Sequence, residues 1–177
     1  MVGAPRANSS YYHANQITEP GAMFKCDLRG ATCMEFIVDG SGNTESHNIQ
    51  SEYSYQDLKN YGWLGASLDS QPRLRDDRQV TGVCAPSWKN QLYYSPQQQH
   101  NQQYMNGVCY LFDDSDTYKT VKKLLPLVSY GKQTKLVNNK RFYHYGLGQA
   151  GMSIHFPENQ TSFIVGSPGV FNWHGET

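Results

Sequence analysis

The side chains in this chain best suited to covalent chemistry are four cysteines, Cys26, Cys33, Cys84 and Cys109. They fall as C-x6-C and C-x24-C, with no C-x-x-C pair and no clustered histidine, a spacing that does not suit a structural zinc centre. Local bridges Cys26–Cys33 and Cys84–Cys109 are the simplest framework, while the sequence by itself allows three connectivities. Two sequons, Asn8-Ser9-Ser10 and Asn159-Gln160-Thr161, offer amides for N-glycosylation. Together with paired cysteines they favour an extracellular origin. The six histidines (His13, His47, His100, His144, His155 and His174) are scattered through polar stretches, none in a nucleophile setting. A glycan-active enzyme would need two carboxylates converging on a cleft. Asp57, Asp69, Asp113 and Glu158 are available, but no spacing singles out a pair. Asp113-Asp114-Ser115-Asp116 lacks the glycine turn and distal glutamate of a calcium loop and reads as a solvated acidic turn.

One stretch combines charge and aromatics. From Lys135 to Tyr145, Lys135, Lys140 and Arg141 are interleaved with Phe142, Tyr143 and Tyr145. Such a stripe can bind nucleic acid, yet the chain as a whole has a formal net charge of +0. A dedicated nucleic-acid or anionic-membrane surface would show as a basic excess. The stretch therefore reads as a protein-facing loop, in keeping with the enrichment of Tyr, Phe, Trp and Arg at interfaces. Trp63 and Trp173 read as packing residues at strand ends, and Trp88, after Pro86, reads equally as packing or contact.

These residues need a scaffold, and the composition makes one hard to build. Leu, Ile, Val and Phe make up about 19% of the 177 residues, under the roughly 20% at which a chain struggles to form a core. The absence of net charge argues against disorder, and 13 Tyr, 3 Trp and 16 Gly suit turn-rich β structure. No apolar run approaches the ~20 residues of a membrane span, and Met1-Val2-Gly3-Ala4-Pro5 has neither the basic nor the apolar region of a signal peptide. An extracellular chain of this kind is expected to be a fragment, with Met1 an accidental start.

An internal repeat resolves the difficulty. Val2-Gly3-Ala4-Pro5 recurs as Val83-Cys84-Ala85-Pro86 and Val165-Gly166-Ser167-Pro168, at intervals of about 80 residues. Two copies are preceded by a second element, Gly62-Trp63-Leu64-Gly65-Ala66-Ser67-Leu68 and Gly148-Gln149-Ala150-Gly151-Met152-Ser153-Ile154. Each pair reads as a hairpin whose small residues admit a neighbouring backbone and whose proline ends the second strand. The turns fall at 69–78 and 157–161. Third strands fit Met23-Phe24-Lys25-Cys26 and Val108-Cys109-Tyr110-Leu111-Phe112, and a fourth fits Met34-Glu35-Phe36-Ile37-Val38. Residues 117–128 show helical spacing interrupted by Pro126, so a short connector or strand fits equally. Long polar loops are expected at 8–20, 39–61 and 90–106, the last holding the low-complexity tract 97–103. Four-stranded units repeated radially are the plan of a β-propeller.

The ordered elements resemble the integrin α-subunit family. The resemblance runs through Val2-Gly3-Ala4-Pro5-Arg6-Ala7-Asn8, Phe24-Lys25-Cys26 with Cys33, Trp63-Leu64-Gly65-Ala66-Ser67-Leu68 and Val83-Cys84-Ala85-Pro86. It continues through Gly107-Val108-Cys109-Tyr110-Leu111, Gly148-Gln149-Ala150-Gly151-Met152-Ser153 and Gly166-Ser167-Pro168-Gly169-Val170-Phe171-Asn172-Trp173-His174-Gly175. It implies an all-β fold, about two and a half blades of the family's seven-bladed propeller head. Residues 1–38 would be the end of the first blade, 39–112 the second, and 113–177 a connector and the start of the third. The family's disulfides map onto Cys26–Cys33 and Cys84–Cys109. A further family cysteine pair is missing as a pair. The ~35 residues between Phe112 and Gly148 leave no room for an inserted domain.

The resemblance further implies a non-catalytic adhesion receptor at the cell surface, acting with an integrin β subunit on an extracellular-matrix ligand. Its ligand-facing candidates are Arg141, Phe142, Tyr143, Tyr145, Phe171, Asn172 and Trp173. The acidic residue that receives a ligand arginine in the Arg-Gly-Asp-binding branch is replaced here by the basic stretch 140–145, which offers a guanidinium no anionic partner. Phe171-Asn172-Trp173-His174-Gly175 resembles the laminin-binding branch, in an invertebrate-type subunit. No cofactor is implied for this segment, the family's calcium loops lying in later blades. A secreted propeller-like glycan-active enzyme or lectin is the alternative. The isolated chain is expected to be poorly stable or aggregating, because an incomplete blade exposes strand edges.

Overall fold

The computed structural model describes residues 1–11, 17–49, 53–71, 79–95, 100–113, 121–127, 134–158 and 162–173. Their regular structure is β throughout, closed by one 3-10 turn at Val170–Trp173. In chain order the strands are β1 (Val2–Ala4), β2 (Ala22–Asp27), β3 (Thr32–Glu35), β4 (Thr44–Ile49), β5 (Tyr53–Leu58), β6 (Ser67–Ser70), β7 (Val80–Ala85) and β8 (Lys89–Ser95). They continue with β9 (His100–Met105), β10 (Val108–Asp113), β11 (Lys122–Leu124), β12 (Thr134–Val137), β13 (Lys140–Tyr143), β14 (Ser153–His155) and β15 (Ile164–Gly166).

Three sheets carry the repeat. β1-β2-β3, β11-β10-β7-β6 and β14-β15 are antiparallel throughout. The middle sheet is complete with four strands, and its inner strands show why: Thr81 to Ala85 of β7 and Val108 to Tyr110 of β10 are buried continuously, as strands covered on both faces must be. Met23, Val38, Leu64, Val83, Trp88, Val108, Tyr110 and Phe112 form the core between the first and middle sheets, with the Phe36 ring tilted against Phe112 at 4.8 Å. The edge strand β11 lies beyond residue 112, where the second unit is expected to end.

Several sequence expectations are corrected. Segments 39–61 and 90–106 are not loops but supply a second four-stranded sheet, β4-β5-β8-β9. They lack alternating aliphatics, so period-2 patterning did not mark them. Their ladders are backbone hydrogen bonds, which polar residues form equally well. At 117–128, where a strand fits as well as a helix, the strand β11 forms, with 114–120 and 128 outside the described residues. The basic-aromatic stretch contains the hairpin β12–β13, turning at Asn138 and Asn139 with φ of 50° and 57°. Positive φ at both central residues defines the two-residue turn that matches strand twist, and asparagine tolerates it. The fourth strand of the first unit spans Thr32–Glu35 rather than 34–38, because the Asp27 carboxylate accepts the N–H groups of Arg29 and Gly30 at 3.0 and 3.1 Å and closes the turn early. The strands β6 and β14 begin only at Ser67 and Ser153, the preceding Gly-rich residues forming turns.

Candidate functional site

The sheets meet at two junctions built to one plan. At the first, Leu64 N–H donates to Pro20 O at 2.8 Å and Gly62 N–H to Lys59 O at 2.9 Å. At the second, Ala150 N–H donates to Asn106 O at 2.9 Å and Gly148 N–H to Tyr145 O at 3.1 Å. Gly65 (φ 90°) lies against the backbone of Gly3, Ala4 and Ala22, and Gly151 (φ 93°) against Cys84 and Cys109. A side chain at either glycine would meet atoms that cannot move aside, and its backbone sits where only glycine is unstrained. Both disulfides are present, Cys26–Cys33 joining β2 to β3 and Cys84–Cys109 joining β7 to β10 at directly opposed positions. The second forms the wall that Gly151 packs on.

Around the first junction the chain buries charge. Lys59 donates to Ser41 O at 2.6 Å and Ser41 Oγ at 2.8 Å, and pairs with Asp39 at 3.1 Å and Asp57 at 3.6 Å. Lys123 pairs with Asp57 and, at 3.4 Å, with Asp39. Tyr110 donates its hydroxyl to Asp39 at 2.8 Å, and the Trp88 indole N–H donates to Asp57. Two carboxylates thus face two ammonium groups. Burial opposes ionisation of Asp39, but hydrogen bonds from Ser41 and the charges of Lys59 and Lys123 outweigh it and hold the carboxyl well below its usual range. Burial lowers Lys59 despite Asp57 and Asp39. Because Asp57 lies in β5, Trp88 precedes β8 and Lys123 lies in β11, this cluster fastens β4-β5-β8-β9 to the middle sheet. Trp88, 1% exposed, is thereby a core residue. Trp63 is the reverse, 41% exposed with φ 64° and outside any strand, which corrects its expected packing role. Trp173 lies in the 3-10 turn rather than at a strand end.

Around the second junction Tyr145, the counterpart of Lys59, sits among aromatic rings. The rings of His144 and Phe171 meet edge-on at 5.1 Å, and Tyr145 lies 6.0 Å from each. Phe171 N–H donates to His144 O at 2.7 Å, with Phe171 at φ 53°, a strained backbone for a bulky residue. Asn106 donates to Tyr145 O at 2.8 Å, while its buried Oδ1 has no partner. One step along, the Tyr143 ring lies 4.7 Å from Tyr104. Burial, first, and a hydrogen bond with Tyr143 raise the Tyr104 phenol well above its usual range.

Of the ligand-facing candidates, the structure therefore brings Tyr145 and Phe171 together, turns Tyr143 onto Tyr104 and leaves Phe142 47% exposed. The side chains of Arg141, Asn172 and Trp173 lie outside the described residues, as does Asn159. Asn8 is exposed, its Oδ1 accepting Glu19 N–H at 2.8 Å. The carboxylates weighed for catalysis do not gather. Asp57 is sealed among ammonium groups, and Asp69 accepts from Phe156 N–H at 2.8 Å and pairs with His155 at 3.4 Å. Among the described residues no group of His, Cys, Asp and Glu is arranged to hold a metal ion, and no helix is long and apolar enough to cross a membrane. The charged cluster was not legible as a site, since Asp57-x-Lys59 in a polar stretch looks like any solvated surface.

Antiparallel sheets set side by side through repeated glycine contacts, the middle one complete with four strands, make this chain part of a β-propeller. The chain is homologous to integrin alpha subunits over essentially its whole length. It is 32% identical over 180 aligned residues to integrin alpha-PS3 of Drosophila melanogaster, covering 99% of this chain and 15% of that protein. Integrin alpha-PS5 of the same fly is 29% identical, covering 99% of this chain and 14% of the relative. Integrin alpha pat-2 of Caenorhabditis elegans is also 29% identical, covering 99% and 13%. The chain thus spans about one seventh of the length of the curated relatives it matches. No protein-family model matches it.

Proposed function

We propose that this chain belongs to the extracellular head of a cell-adhesion receptor, an integrin α subunit that engages a matrix ligand together with a β subunit and catalyses no reaction. The single observation that carries the reading is the homology to integrin alpha subunits over 99% of the chain. In this reading residues 1–38 close the first blade, 39–112 form the body of the second with β11 as its outer edge, and 113–177 lead into the third. Arg141, Phe142, Tyr143, Tyr145, Phe171, Asn172 and Trp173 belong to the ligand-facing surface. The absence of a carboxylate in 140–145 favours a laminin-like ligand over one recognised through Arg-Gly-Asp. Asn8 and Asn159 carry N-linked glycans, and Asn8 offers an exposed amide whose carbonyl alone is engaged.

The test is co-expression of the full-length α subunit with candidate β subunits in cells lacking endogenous integrins. Surface appearance as a heterodimer and adhesion to laminin, undiminished by Arg-Gly-Asp peptide, are expected. An α subunit that reaches the surface without any β subunit, or glycan hydrolysis by the purified ectodomain, would overturn the reading.

A further inference from the structure

The β12–β13 hairpin is exposed along one face and anchored on the other at Tyr143, while Leu136 on that second face stays exposed. Its register pairs Lys135 with Phe142 and Val137 with Lys140. Cross-strand partners, and residues two apart along a strand, share a face, so these four side chains form a two-by-two patch. The two lysines occupy one diagonal, Val137 and Phe142 the other. All four are exposed, Val137 at 39% and Phe142 at 47%. On the opposite face Tyr143 is held by Tyr104, which also packs along Gly146. The rigid Asn138-Asn139 turn fixes the register. The Tyr143–Tyr104 contact anchors the base of the hairpin, and the patch lies on the face away from it. No acidic side chain pairs with Lys135 or Lys140 among the described residues.

We propose that this outward face of the β12–β13 hairpin docks an extended acidic segment of a protein ligand, its two carboxylates on Lys135 and Lys140 and an apolar side chain between them on Val137 and Phe142. The inference rests on the adhesion-receptor reading and assigns the ligand chemistry of that surface. In an extended segment residues two apart line one face, so acidic-x-apolar-x-acidic presents the complementary pattern. The long lysine arms bridge the difference between its ~13 Å carboxylate span and their own ~7–8 Å diagonal. A sulfated glycan fits less well, because a polyanion needs a continuous basic stripe and half of this patch is apolar.

The experiment uses the complete heterodimer on cells and a biotinylated Glu-Ser-Phe-Ser-Glu peptide displayed on streptavidin, whose multivalency compensates for weak single contacts. Wild-type receptor is expected to bind the probe. Binding should fall at least tenfold in K135E/K140E and about fivefold in F142A, and weaken severalfold between 50 and 300 mM salt. The milder K135Q/K140Q variant guards against misfolding, and β-subunit pairing at the surface verifies each variant. No probe binding to wild type, unchanged binding in the variants, or binding of heparin with the peptide silent would each overturn the proposal. Wild-type cells that fail to pair with a β subunit or to adhere to matrix would instead overturn the adhesion-receptor reading, whatever the peptide does.

Discussion

The two junctions share a backbone plan and differ in everything that plan holds. The same hydrogen bonds recur at Leu64 and Ala150, at Gly62 and Gly148, and the same left-handed glycines at Gly65 and Gly151. Yet the carbonyl offered by Lys59 at one is offered by Tyr145 at the other. Lys59 points its ammonium into a closed set of four charges, whereas Tyr145 joins an aromatic group with one buried oxygen unsatisfied, Asn106 Oδ1. The scaffold is fixed by backbone geometry, and side chains at equivalent positions are free to specialise. At the first junction they fasten a second sheet, and at the second they border the surface that we assign to ligand.

Breaking the shared plan should cost most. Gly65→Ala and Gly151→Ala each force a side chain into neighbouring atoms at φ near 90°, so each is expected to lose about 4 kcal/mol or more, equally at both junctions, in denaturant midpoints of the purified ectodomain. Asp57→Ala should cost about 3 kcal/mol by removing one of the two carboxylates that Lys59 and Lys123 share, while Tyr145→Ala should cost about 1–2 kcal/mol because its ring is only half-buried. A smaller loss for Asp57→Ala than for Tyr145→Ala in the same denaturation series would erase the contrast. Removing Cys84–Cys109, which closes a separation of 25 residues, should cost about 3 kcal/mol, and removing Cys26–Cys33, with a separation of 7, about 2 kcal/mol. Differential scanning calorimetry of the paired-alanine variants ranks them.

The smallest effect is pH-dependent. Asp39 has a folded pKa depressed below its unfolded value near 4. Between those two values the unfolded chain binds more protons, so the contribution is complete above about pH 4 and fades as pH falls through the folded value. Asp39→Asn should flatten the acid limb of a stability–pH curve, and an unchanged limb would remove Asp39 from the charged cluster.

The repeat made the hairpins β6–β7 and β14–β15 legible, because their glycines and terminal prolines recur in fixed order. The third strands were legible through aliphatic runs such as Val108 to Phe112. The β4-β5-β8-β9 sheet was not, since strands such as Thr44–Ile49 and His100–Met105 carry almost no apolar residue to show a period. Trp88 reads from the sequence equally as packing or contact, and Asp57 as one carboxylate among several, for one reason: each takes part of its environment from the other, 31 residues away, and no local pattern encodes that partnership. The basic-aromatic stretch was legible as a composition, but only the register of β12 with β13 sorts Lys135 and Phe142 onto one face and Tyr143 onto the other.

Both disulfides lie inside a sheet, joining neighbouring strands, and all four cysteines are used. No covalent bridge therefore crosses either junction, although Cys84–Cys109 touches the second. In the adhesion-receptor reading proposed above the chain works under tension, and a pulling force would meet cross-linked units butted together at glycine seams. The seams should slip first, each sheet separating as a stapled block before its strands unzip.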